Sequence, residues 1–122
     1  MGTNPVNLAV RFILEICALA AMAYWGWTQH AGGLRFGLAI GLPVLAAILW
    51  GTFAVPNDPS RSGKAPVPVP GVVRLFLELI FFGLAVWMLY DTGTTSLSII
   101  MGVAVIIHYA LSYDRIVWLL KQ

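Results

Sequence analysis

The sequence predicts an all-α integral membrane protein: a four-helix bundle built from two two-helix repeats that share one topology. Three observations carry that expectation. Hydrophobic residues make up 60% of the 122 positions, charged residues only 10%, and the mean hydropathy is +0.87, far from the near-quarter charged content of soluble domains. Four apolar runs are each long enough for a bilayer core, which takes about 20 helical residues. The stretch Val10-Arg11-Phe12-Ile13-Leu14-Glu15 also returns, without a gap, as Val73-Arg74-Leu75-Phe76-Leu77-Glu78.

The runs cover roughly Asn7 to Thr28, Leu34 to Val55, Val72 to Tyr90, and Leu97 to Tyr113 or slightly beyond. They place repeat one at about 5–55 and repeat two at about 71–118, within a single transmembrane domain spanning 1–122. Residues 28–33 and 91–96 are short, Gly-bearing turns that force the flanking helices to be antiparallel neighbours. Between the repeats, 56–70 carries five prolines with Arg61 and Lys64, and reads as an extended, polyproline-like strap. With the spans accounted for, no length is left for a soluble catalytic domain. No cleavable signal peptide is expected, because the first apolar run is long and interrupted by Arg11 and Glu15.

Arg11, Arg61, Lys64, Arg74, Arg115 and Lys121 fall on one side of the expected bilayer, with Arg35 alone on the other. The positive-inside rule then puts both termini and the strap in the cytoplasm of a multi-pass inner-membrane protein. Tyr24, Trp25, Trp27, Trp87 and Tyr90 read as an outer aromatic belt. Trp50, Tyr109, Tyr113 and Trp118 read as an inner one. Two spans per repeat imply a pseudo-two-fold axis along the membrane normal.

The repeated Arg and Glu are the candidate site. Arg11 and Glu15 lie one helical turn apart, as do Arg74 and Glu78, in segments where charge is costly. A Glu two turns inside the bilayer is too short to reach the headgroups, so both carboxylates should face inward. Arg11 is expected to meet Glu78 and Arg74 to meet Glu15, closing a neutral quartet. His108, with Tyr109 and Ser112 within a turn of it, falls at matching depth on helix four. Its counterpart 63 positions earlier is Leu45. This departure from the repeat makes His108 a candidate for proton-responsive binding. In helix two, Gly33, Gly37 and Gly41 form a small-residue face for contact inside the bundle or in a homodimer, and Pro43 should kink the helix.

The Arg-Phe-x-Leu-Glu opening, the segment from Leu42-Pro43 through Trp50-Gly51-x-Phe53-x-x-Pro56, and the second Arg-Leu-x-x-Glu-Leu together resemble the YrdB-like family. These are small bacterial membrane proteins carrying a domain of unknown function. The resemblance implies an inner-membrane protein of four helices and transfers no catalytic residues.

The residues therefore support binding or transport of a small solute or ion at the polar layer. They also admit an accessory subunit in which the layer is only a staple, and an enzyme using Glu15 or Glu78 as general acid on a lipophilic substrate. No catalytic set is identifiable. Neither a metal nor a cofactor is expected, and Cys17 as the single cysteine excludes a multi-thiolate site. The expected partner is membrane lipid. The small, dispersed charge of +2 gives no reason to expect nucleic acid.

Overall fold

The computed structural model describes residues 5–29, 32–56 and 66–122. Over these the chain is helical apart from one two-residue pairing: α1 Pro5–Gln29, α2 Gly33–Thr52, β1 Phe53–Ala54, β2 Val67–Pro68, α3 Gly71–Asp91, α4 Thr95–Leu111 and α5 Tyr113–Leu120. Three helices, α1, α2 and α3, are long and apolar enough to cross a membrane. The number rises to four if α4 and α5 are taken as one broken span.

The core lies between α1 and α3. Leu14, Ala18, Ala21 and Met22 on one meet Phe81, Phe82, Ala85 and Met88 on the other, with Met101 and Tyr109 of α4 completing the cluster. Ala18 and Ala85 are fully buried. Their counterparts 63 positions away are Phe81 and Met22, so a small residue on one helix is matched by a large one on the other. Helix α2 has no buried residue and packs along α1 by a close approach at Gly26. A Cβ at Gly26 would lie 2.6 Å from the carbonyl carbon of Leu38. Phe12, Ile40, Phe76 and Ile106 all point outward and exposed. In a soluble protein such a continuous apolar exterior would be a liability; against hydrocarbon it costs nothing.

Two connections depart from the expected plan. The last span is not a single helix: α4 stops at Leu111, Ser112 forms the joint, and α5 leaves at 68°. The ends of the inter-repeat strap are also tied down. Phe53 pairs with Val67 and Ala54 with Pro68 in a parallel bridge, extended by the Val69 N–H donating to the Ala54 carbonyl at 2.9 Å. The strap's middle, including Arg61 and Lys64, lies outside the described residues. Pro43 sits within an uninterrupted α2. A Cβ at Gly33, Gly37 or Gly41 would meet nothing within 4 Å, so the contact inside the bundle anticipated for that stripe is not made.

The turn from α3 to α4 closes as a Schellman motif. Gly93 takes a left-handed φ of 83°, its N–H donates to the Tyr90 carbonyl, and the Thr94 N–H reaches the Leu89 carbonyl. At the same end of the molecule the Trp25 indole donates to Asp91 at 2.9 Å, joining the ends of α1 and α3. Arg35 donates to the Trp27 carbonyl at 3.2 Å and stacks on that ring, supplying a cation at the C-terminus of α1.

Candidate functional site

At the opposite end from these contacts, Arg11 of α1, Arg74 of α3 and Arg115 of α5 converge on Glu78. The periodicity that places Arg74 and Glu78 on one helical face also places them 2.9 Å apart, Nε to Oε2. The same oxygen takes Arg115 Nη2 at 2.6 Å and Arg11 Nη2 at 3.0 Å. Its partner oxygen, Oε1, accepts the Tyr109 hydroxyl at 2.8 Å. Glu78 is completely buried, and Arg11, Arg74 and Arg115 are nearly so. Four donors on a carboxylate match its accepting capacity, the condition under which a buried charge is tolerated.

The other half of the layer is built differently. Arg11 Nε meets Glu15 at 3.3 Å, and the Trp50 side chain hydrogen-bonds the same carboxylate. Arg74 does not pair with Glu15 as expected. It donates instead from Nη1 to the carbonyls of Trp50 and Phe53, at 2.5 and 2.7 Å. Those are terminal carbonyls of α2, left without helical partners, so Arg74 caps that helix. The expected neutral quartet is therefore corrected: among the described residues, three guanidinium groups and two carboxylates make up the layer.

Trp50, expected only at an interfacial belt, belongs to this layer, as does Tyr109, expected both in the inner belt and beside His108 in the polar cluster. Tyr109 is buried on Glu78, and Trp50 packs at 4.6 Å from the Phe81 ring with Arg74 and Arg11 stacked over it at 4.4 and 5.2 Å. Hydropathy places both at the correct depth but does not fix their rotation about the helix axis. Arg115 and Asn7 were missed as members. Arg115 is carried inward by α5, whose Arg115 and Leu119 share its buried face. Asn7 donates to Ser112 Oγ at 2.6 Å, pinning the start of α1 to the α4–α5 joint. The available signal was a lone amide opening an apolar run.

His108 is 2% exposed and stands edge-on to Tyr109 at 5.4 Å. Neither ring nitrogen has a hydrogen-bond partner among the described residues, and the same holds for Arg11 Nη1. The ring thus sits beside the Arg-Glu layer without joining its hydrogen bonding, and it lines a cavity of about 370 Å³ with Val6, Asn7, Val10, Ala104, Ile107 and Leu111. No group of three or more potential metal ligands occurs among the described residues.

The fold and this layer define a class: a small helical protein with an apolar exterior and a charged, buried centre at one end. The chain belongs to the family described as protein of unknown function DUF2568, whose model matches residues 9–106. It is 43% identical over 119 residues to the uncharacterized protein YrdB of Bacillus subtilis (strain 168), covering 98% of this chain and 97% of that one. No solved structure matches it.

Proposed function

We propose that this chain is a four-span protein of the bacterial inner membrane, made of two like-oriented repeats, whose polar layer near the cytoplasmic face binds a small molecule rich in hydrogen-bond acceptors. The observation that carries this reading is the set of buried polar atoms left open beside a fully satisfied carboxylate: Arg11 Nη1, a donor, and the two His108 nitrogens, at least one of which donates. A staple evolved only to hold helices together gains nothing from such groups, since each open buried polar atom costs about 1–3 kcal/mol. Binding is favoured over transport because four short helices enclose little space for a conduit. The accessory-subunit reading draws on the saturation of Glu78, and a homodimer through the open Gly33/Gly37/Gly41 stripe is compatible with either.

The orientation follows from the Lys and Arg distribution. Reporters active on only one side of the membrane, fused at either terminus, are expected to report the cytoplasmic side. A periplasmic signal overturns the topology.

The binding reading is tested with His108→Leu, which puts at 108 the residue found at its counterpart, Leu45. Thermal unfolding in a mild detergent is followed with and without butyrate, dodecanoate and inorganic phosphate. The variant is expected to keep or raise its midpoint without ligand, because a buried open imidazole is removed. It is also expected to lose the stabilisation that an acceptor ligand gives the wild type. Failure of all three probes to shift the wild-type midpoint returns the layer to a staple.

A further inference from the structure

The cavity at His108 continues into a second one. Along α4, the residues lining both are Leu97, Ile100, Met101, Ala104, Ile107, His108 and Leu111, a single stripe at helical spacing. Along α1 a matching stripe runs from Val6, Asn7 and Val10 through Leu14, Cys17, Ala20 and Ala21 to Tyr24. The two cavities, about 370 and 400 Å³, share Ala104. They are consecutive segments of one seam between α1 and α4.

Side-chain size explains why this seam is open. Cys17 and Ala21 line it where the positions 63 later hold the bulkier Ile80 and Leu84. On the α2–α3 side, Ile80 and Leu84 with Trp50 reduce the corresponding space to about 100 Å³. Polarity is just as uneven. The part away from His108 is lined by aliphatic side chains apart from Tyr24 and Cys17, and the part at His108 has Asn7 and the imidazole. Asn7 already donates to Ser112. The ring is the open polar group, 98% buried, with Arg11, Glu78 and Arg115 the charged groups acting on it.

We propose that this seam binds a single-chain amphiphile with a carboxyl head, the head at His108 and the chain along α1 and α4 toward Tyr24. The proposal rests on the binding reading above and names its ligand class. An imidazole presents one donor and one acceptor, or two donors when protonated. A carboxyl group complements either state, as acid or as carboxylate. The few polar groups around the ring suit a head of two oxygens better than a phosphodiester. The apolar stripe accepts the chain by packing alone, because a ligand arriving from lipid exchanges one apolar surrounding for another, and the selectivity therefore lies in the head at His108. Entry is lateral, from the lipid, since the seam lies on the bundle's outer surface.

Cys17, the chain's one cysteine and exposed in the seam, provides the readout. In phosphatidylcholine nanodiscs, a dodecanoate carrying a mid-chain diazirine is expected on illumination to label Cys17 by carbene insertion, and unlabelled dodecanoate below its micellar concentration to protect it, while dodecyl alcohol and butyrate do not. His108→Leu is expected to weaken dodecanoate protection about tenfold or more, the factor for one lost hydrogen bond to a charged group. Ala104→Phe, and independently Ala20→Phe at the exposed rim, should obstruct the chain and abolish protection while the unfolding midpoint without ligand stays put. Equal protection by dodecyl alcohol, or protection unchanged in His108→Leu, overturns the proposal, because any lipid chain then fills the seam. Stabilisation by butyrate or phosphate without dodecanoate protection of Cys17 also overturns it, yet leaves the binding reading intact. No stabilisation by any probe defeats both.

Discussion

Replacing Glu78 with alanine is expected to be the most damaging single change at the polar layer. Three guanidinium groups within 3.0 Å of Glu78 Oε2 would lose their common acceptor, and the Tyr109 hydroxyl would lose its own. Breaking a buried pair costs about 3–5 kcal/mol, and here one deletion breaks three pairs. Glu78→Gln should cost less, on the order of 1.5–3 kcal/mol for the weakened charge-assisted bonds. Its amide oxygen can still face the arginines while its NH₂ donates to the Tyr109 oxygen. Denaturation in detergent would rank the variants as wild type, Gln, Ala. Equal stability of Ala and wild type would refute the central place given to Glu78. Glu15→Ala should be milder than Glu78→Ala, because Glu15 is only partly buried and pairs with Arg11 alone among the arginines.

A second large effect is expected at Gly71. A Cβ there would overlap the carbonyl oxygen and carbon of Leu119, and both are backbone atoms that no rotamer change can move. Gly71→Ala must therefore lift α5 off the start of α3, at a cost of about 1–3 kcal/mol or more. Because Arg115 and Leu119 share the buried face of α5, the displacement also pulls Arg115 from Glu78. Combining Gly71→Ala with Arg115→Ala is then expected to cost less than the two separate losses added together. Strict additivity would show that the Gly71 contact and the charge layer are independent.

The apolar runs, the turn at 91–96 and the facing of Arg11, Arg74, Glu15 and Glu78 were legible because each depends on composition or helical period alone. The break at Ser112 was not. Residues 116–120 are Ile-Val-Trp-Leu-Leu, so hydropathy continues past the joint, and neither Pro nor Gly marks it. Once α5 was read as a continuation of α4, Arg115 became a topological charge at the membrane surface and its reach to Glu78 was lost. The exchange of Arg74 from Glu15 to the end of α2 was hidden for another reason. Helix-terminal carbonyls left without helical partners accept from an arginine within reach, and they leave no mark in side-chain sequence. Trp50 shows the same limit: the run fixes its depth, while neighbouring helices fix the direction in which it points.

The position of Arg115, 37 residues after Glu78, has a consequence for biogenesis. A ribosome adding about 5–20 residues per second delivers α1 and α3 to the membrane seconds before α5 exists. During that interval Glu78 has Arg11 and Arg74, while its third guanidinium and the Tyr109 hydroxyl are still to be made. The last helix is thus a clasp fastened after the others: without it Arg11 and Arg74 already balance Glu15 and Glu78 in charge, and what Glu78 lacks is its shortest ion pair, the 2.6 Å contact with Arg115.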